Sequence, residues 1–283
     1  MKASELIKSG ARTLRANRHR LSWVGDEADQ ATELLEHALG GKVRNGAEVP
    51  SAAVRKFERY IERRSQGEPL PYIVGYIEFL GARMLVRPGT FVPRMTSEFT
   101  AESAITKIRR IKAPIVVDAA TGVGPMAIAI ARAVPRAKVY GTDIAGKAVL
   151  QARRNAIENG VKNVTFLKGS MFDPLPKEIR GKVDLITSHP PYVPKQEIRD
   201  LPDEVRAYEP VESLTDDSRT GMRLARMVVE GAVDVLRPGG WLLVEIGVDM
   251  ARPLRALYRE FGFNEVKSTM GEMKYTRVMV GRR

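Results

Sequence analysis

Ile115-Val116-Val117-Asp118-Ala119-Ala120-Thr121-Gly122-Val123-Gly124-Pro125-Met126-Ala127 is the stretch on which the fold turns. A short β-branched run reads as a buried strand. It passes through two glycines into a segment that opens a helix. Glycine at 122 and 124 lets the backbone approach a ligand closely, and a helix start offers free N–H groups. Pro125 suits a first helical turn, where its missing N–H costs nothing.

Working outward, strands and helices alternate from about residue 93. The further strand candidates are Lys138–Gly141, Val164–Leu167, Val183–Thr187, Trp241–Ile246, Asn264–Ser268 and Arg277–Val280. Amphipathic helices fall between most of them, which predicts a mostly parallel, doubly wound α/β sheet of seven strands. The last two strands are too close in sequence for a crossover helix, so they are expected to pair antiparallel.

Upstream, residues 1 to about 66 read as helical. Apolar positions recur at helical spacing at Leu6, Ile7 and Leu14, at Ala31, Leu34, Leu35 and Ala38, and at Val54, Phe57 and Ile61. Gly40-Gly41 and Asn45-Gly46 punctuate them. Tyr72–Gly81 and Arg83–Val86 read as two strands of a hairpin. The expected organisation is a helical bundle at 1–70, a β-hairpin linker at 71–92 and an α/β domain at 93–283.

Composition narrows the chemistry. The chain has no cysteine, which excludes disulfides, zinc-thiolate sites and a cysteine nucleophile. His19, His37 and His189 are the only histidines and no pair has metal-ligand spacing, so no metal site is expected. The balance of 46 basic and 34 acidic residues gives +12, which permits an anionic partner, but the basic residues are dispersed rather than run together. No run approaches ~18 apolar residues, and Met1-Lys2-Ala3-Ser4-Glu5 lacks an apolar signal core. A soluble, cytoplasmic protein is expected. Trp23 and Trp241 are assigned to core, and Asp184 to a structural role at a strand edge.

Asp143 ends the second strand, about 20 residues beyond the glycines, where a carboxylate can bind both hydroxyls of a ribose. The glycines and Asp143 alone also satisfy a dinucleotide pattern, Gly122-x-Gly124-x-x-Ala127, or a tight turn with no ligand. Ser188-His189-Pro190-Pro191-Tyr192 tips the balance. Two prolines cannot continue a strand ladder. They leave a rigid turn, with a polar residue before and an aromatic ring after, that can hold a planar group. Hydride transfer has no use for it. Tyr192 is expected to stack on a planar acceptor, with simple packing as the other reading.

At this point the chain resembles the class I S-adenosylmethionine-dependent methyltransferases, which have a Rossmann-like fold. More narrowly it resembles the HemK/PrmC family, which methylates a glutamine amide of peptide-chain release factors. The resemblance runs through Glu68–Gly75 with Phe79, Arg87–Arg94, Val183–Tyr192, Tyr208-Glu209-Pro210, Arg237–Gly240, Glu245-Ile246-Gly247 and Gly262-Phe263. It implies that Thr121, Gly122 and Gly124 line the methionine part of S-adenosylmethionine and that Asp143 holds the ribose. Pro93, Arg94 and Ser97 match a segment that closes over the methionine end. His189, Pro190, Pro191 and Tyr192 would hold the substrate nitrogen, with Pro190, Tyr192 and His189 as the catalytic set and His189 also against the cofactor. Glu245, in a family-like stretch, either faces the site as a substrate-binding group or pairs with an arginine.

The departures are specific. The family has Asn where His189 stands, Gly where Ala120 stands, Thr where Ser97 stands, and an acidic residue reaching the adenine amino group where Ser170 stands. An Asn amide can accept an amide N–H, whereas neutral imidazole offers one acceptor and one donor and can also take a proton near neutral pH. The acceptor implied is the release-factor glutamine. The alternatives are a small amine, amide or guanidine, then an RNA base, or cofactor binding without turnover.

Overall fold

The computed structural model describes residues 1–21, 25–44, 46–271 and 276–283 and, of Thr276, only the backbone. Trp23 and Asn45 lie outside the described residues. The chain divides into two units: Met1–Tyr76 with Arg199–Glu209, and Ile77–Ile198 with Pro210–Arg283.

The first unit is built from α1 (Ala3–Ala16), α2 (Glu27–Leu39), α3 (Ser51–Ser65) and α4 (Leu70–Val74). Asp26 caps α2 by accepting from the Ala28 N–H at 2.6 Å, and Gly40 ends it in the left-handed conformation. The helical periodicity marks the core: Leu6, Leu14, Leu34, Leu35, Phe57 and Ile61 are all buried together. Helices α1 and α3 approach so closely at Gly10 that a Cβ there would lie 2.7 Å from Phe57.

One expectation fails here. Tyr72, Ile73 and Val74 are helical, not the start of a strand. Pro69 and Pro71 preset the first turn, and Gly75 at φ +87° stops it after five residues. Burial of Ile73 and Val74 in the helical core overrides their β-propensity.

From Ile77 onward the chain belongs to the second unit, where β1 (Tyr76–Phe79) and β2 (Ala82–Leu85) form the expected hairpin, shorter than read. Phe79, Ala82 and Met84 of the hairpin are fully buried in the core of this unit. The Asn155 side chain accepts from the Leu85 N–H and donates to the Leu85 carbonyl, closing the edge of β2.

The main sheet holds β3 (Ile115–Ala119), β4 (Lys138–Asp143), β5 (Val164–Lys168), β6 (Val183–Ser188), β7 (Leu236–Gly247), β8 (Asn264–Met270) and β9 (Thr276–Arg282). Its order is β5-β4-β3-β6-β7-β9-β8. Strands β3 to β7 are parallel, and β9 runs antiparallel to both β7 and β8, as the short β8–β9 connection required. Helices α5 (Ser97–Ile108), α6 (Pro125–Ala133), α7 (Gly146–Glu158), α9 (Arg223–Val235) and α10 (Ala251–Glu260) complete the unit, while α8 (Asp203–Tyr208) belongs to the first.

Buried on both faces, the strands split their side chains by period two. Val116, Leu185 and Leu243 enter one core with α6, and Val117, Ile186 and Leu242 enter the other with α9. At the amino ends of the strands, Asp184 accepts from the Ile115 N–H at 2.8 Å and from Arg237 Nε at 2.6 Å, which is a structural role. Trp241 is half-buried, with Lys107 Nζ 3.6 Å from its ring centre. Strand order reverses between β3 and β6, so their carboxyl ends open the crevice in which such sheets bind ligands.

Candidate active site

The floor of the crevice is the turn after β3. Ala120 sits at φ +56°, Gly122 at +57° and Gly124 at +86°. Ala120 therefore holds a left-handed conformation that favours glycine. The two glycines serve different needs. A Cβ on Gly122 would meet nothing within 4 Å, whereas one on Gly124 would lie 2.8 Å from Phe166. Gly122 keeps the cleft open, and Gly124, which does not wall the cleft, lets α6 pack on β5.

Asp118 organises this turn. Its fully buried carboxylate accepts from Thr121 Oγ1 at 2.6 Å and from Thr187 Oγ1 at 2.8 Å. Burial pushes the carboxyl up from 3.8 to about 6, against these two hydroxyls and the Ala127 N–H at the start of α6, which favour the charged form. Between those values the folded chain keeps a proton that the unfolded chain has lost. This group's contribution to stability therefore falls as pH rises from about 4 to 6, by about 3 kcal/mol in all. Asp118→Asn is expected to remove that slope. Urea unfolding of both proteins across the window checks it, and a constant difference between them contradicts it.

Asp143 ends β4. Its Oδ2 accepts from the Gly122 N–H and its Oδ1 from the Ala145 N–H, both at 2.8 Å. Burial raises its pKa despite these two bonds. Each oxygen retains a lone pair. Ile144, the next residue, leaves a large apolar side chain 70 % exposed. Ser170 lies two residues past β5, beside Asp143 through the Gly169 N–H to Asp143 carbonyl bond, but is not in the cleft wall.

The cleft has about 370 Å³ of empty space, counted out to solvent. Thr121, Gly122 and Met126 wall it from the β3 turn and α6, Phe91, Pro93, Arg94 and Ser97 from the segment entering α5, and His189 from the end of β6. Most of the expected cofactor residues thus meet in one place. The Thr121 hydroxyl, however, is already given to Asp118.

His189 is held by four side chains and keeps one side to the cleft. Ser97 Oγ lies 3.2 Å from Nδ1, and Glu245 Oε1 lies 3.9 Å from the same nitrogen. The Tyr192 ring stacks on the imidazole at 5.6 Å and 24°, and Phe91 meets it edge-on at 6.0 Å. Tyr192 therefore finds its planar partner inside the protein, and Gly247 abuts its ring. Burial and the nearby Glu245 carboxylate push the Tyr192 hydroxyl up to about 12, against Arg94, so it is neutral at physiological pH. Pro190 is buried behind the turn and Pro191 half-buried.

Glu245 is fully buried behind His189 and does not line the cleft, and among the described residues it is hydrogen-bonded to no arginine. Thr100 Oγ1 donates to Oε2 at 2.8 Å and Thr96 Oγ1 to Oε1 at 3.3 Å. Reading the sequence missed Phe91, which walls the cleft, and Thr96 and Thr100, which hold Glu245. The i, i+4 spacing of the two threonines on one face of α5 was the available signal.

Similarity to known proteins covers both parts of the chain. The PrmC N-terminal domain matches residues 5–75, and a methyltransferase domain matches residues 112–274. The release factor glutamine methyltransferase of Geobacter sulfurreducens is 36% identical over 222 residues, covering 78% of this chain and 76% of the relative. That of Thermodesulfovibrio yellowstonii is 32% identical over 257 residues, covering 89% and 91%. Among solved structures, the 16S rRNA N2 G1207 methyltransferase of T. thermophilus, in complex with AdoMet and guanosine, aligns at TM-score 0.53 and 20% identity, covering 74% of this chain and 49% of that one. A methyltransferase from Pyrococcus furiosus aligns at TM-score 0.51 and 19% identity, covering 71% and 89%. At such identities they speak for the fold alone. A crevice at the strand-order reversal, a glycine turn beside Asp143 and a His-Pro-Pro-Tyr turn facing it, together with these matches over both parts of the chain, assign it: the chain belongs to the HemK/PrmC family of release factor glutamine methyltransferases, with a PrmC N-terminal domain and a class I, S-adenosylmethionine-dependent methyltransferase domain.

Proposed function

We propose that this chain transfers the methyl group of S-adenosylmethionine to the side-chain amide nitrogen of a glutamine in a peptide-chain release factor, in the cytoplasm. The observation that carries the reading is the convergence of two features on one cleft: the open Gly122 turn and the rigid turn at His189. The names of the relatives supply the acceptor.

The residues fit the cofactor. A side chain at Gly122 would project into the open cleft, and the free lone pairs of the two Asp143 oxygens match a vicinal diol. Ile144 offers an exposed apolar surface next to that carboxylate, which a base would cover. Bound here, S-adenosylmethionine supplies an electrophilic methyl on a sulfonium, which leaves as a neutral thioether. The protein's part is alignment. An amide nitrogen is a weak nucleophile, so it must be held with its N–H bonds accepted and its face toward the cleft. His189 provides an acceptor, and the double proline fixes the turn without competing N–H groups. Tyr192, un-ionised, acts as a wall for His189 rather than as a base.

The test is incubation with purified release factor and S-adenosylmethionine, followed by peptide mass spectrometry. One glutamine-containing peptide is expected to gain a single methyl. An unmodified release factor alongside turnover of a small-molecule pool would overturn the reading in favour of a metabolite acceptor. Asp143→Ala is expected to weaken S-adenosylmethionine binding by about 2 kcal/mol, on the order of 30-fold, through loss of charge-assisted bonds. Calorimetric titration checks it, and an unchanged affinity counts against the assigned ribose site.

A further inference from the structure

The polar contacts of His189 are one-sided. Ser97 Oγ and Glu245 Oε1 both meet Nδ1. This rules out a serine–histidine–carboxylate relay, in which hydroxyl and carboxylate lie on opposite ring nitrogens. It leaves Nε2, with no hydrogen bond among the described residues, as the nitrogen available to a ligand in the cleft that His189 walls.

Glu245 sets what Nε2 can do. It is fully buried, and its hydrogen-bond donors, Thr96 and Thr100, are neutral hydroxyls. A buried carboxylate needs compensating charge or dipoles. Among the described residues, the ionisable groups in contact with His189 or with the rings against it include Glu245 on β7, Arg94 in the segment before α5, and Tyr192 beyond the proline pair. Arg94 lies over the Phe91 ring at 4.4 Å. Glu245 is thus the anion nearest Nδ1. A lone pair on Nδ1 would face that negative charge, whereas an N–H would be attracted to it and could donate to Ser97 Oγ.

We infer that Glu245 is a positioning residue that fixes the proton of His189 on Nδ1, so that Nε2 accepts the N–H of the substrate nitrogen and takes its proton during methyl transfer. The inference rests on the proposed methylation of a nitrogen acceptor. The step balances: the nitrogen lone pair forms the bond to the methyl carbon, the sulfur keeps the electrons of the broken bond, and the nitrogen's proton moves to Nε2. The resulting imidazolium is stabilised by Glu245 and returns the proton to solvent through the cleft. Phe91 and Tyr192 hold the ring in place, and Thr96 and Thr100 hold the carboxylate.

The test uses the full chain labelled with ¹⁵N-histidine. Three histidines give three imidazole patterns, and His189 is the one lost in His189→Asn. The wild-type resonance is expected to report the Nδ1–H tautomer. Glu245→Gln, which removes the charge but keeps the shape, is expected to shift it toward Nε2–H and to lower kcat about 100-fold, with KM within about 3-fold. A wild-type His189 in the Nε2–H form overturns the inference without any variant, so a Glu245→Gln protein that fails to fold does not shield it. A tautomer unchanged in a folded Glu245→Gln overturns it too. The spectrum is read without an acceptor. Failure of release-factor methylation therefore appears only in the peptide mass, and failure of the Glu245 assignment appears in the tautomer.

Discussion

Glu204→Ala is expected to destabilise the helical unit by about 3–5 kcal/mol, the usual loss when one partner of a buried ion pair is removed. Arg64, on α3, is 1 % exposed. Its Nη2 meets Glu204 Oε2 at 3.1 Å, its Nε donates to Gln30 Oε1 at 2.9 Å, and its Nη1 to the Glu68 carbonyl at 2.9 Å. One guanidinium thus joins α2, α3, the approach to α4, and α8, which is 140 residues away in sequence. Without Glu204 the charge stays buried with neutral acceptors only, and desolvation is no longer offset. The double variant Arg64→Met, Glu204→Leu is expected to recover most of the loss, because buried ion pairs replaced by apolar groups of similar size are often neutral. Urea unfolding followed by circular dichroism decides the matter. A cost below about 1 kcal/mol for Glu204→Ala would mean that the pair is solvated and weak.

Gly221→Ala is expected to lower kcat by about 100-fold, the scale set by a displacement of about 1 Å in a reacting group. Gly221 has φ +66°, and an ideal Cβ there would lie 1.9 Å from the Tyr192 carbonyl oxygen and 2.8 Å from its carbon. The obstacle is backbone, so no rotamer change relieves it. The chain at 192–195 is pinned to the same segment by the Val193 N–H to Leu214 and Lys195 N–H to Ser218 bonds. Asp216 anchors the other side by accepting from the Ser218, Arg223 and Leu224 N–H groups, which hold its pKa down although burial opposes them. The two segments must part, and the His-Pro-Pro-Tyr turn moves with them. Binding of S-adenosylmethionine, which relies on the β3 and β4 ends, should change less than 5-fold, about 1 kcal/mol. Single-turnover rates and calorimetry on one preparation separate the two. A normal rate would show that the turn tolerates the shift.

Sequence periodicity was enough for the sheet and its order of elements, because strands buried on both faces leave continuous β-branched runs and amphipathic helices leave 3.6-residue spacing. It also put Asp143 at the end of its strand and the glycines in the turn before a helix, because both features are local. It misread Tyr72–Val74, where burial in a helical core outweighed propensity, and it gave no sign that the Thr121 hydroxyl bonds Asp118 or that the missing Cβ of Gly124 makes room for Phe166.

Methyltransferase chemistry and its two landmarks, the Gly122 turn and the His189 turn, were therefore legible in the linear chain, since each is a contiguous run with its own backbone demands. What His189 does was not. Ser97, Thr100 and Glu245 come from segments 92, 145 and 56 positions apart in their pairings with one another and with His189, and only packing of α5 across β6 and β7 brings Ser97 and Glu245 onto a single ring nitrogen, with Thr100 behind the carboxylate. A carboxylate's influence on an imidazole depends on distance and burial, and neither exists before the chain has folded.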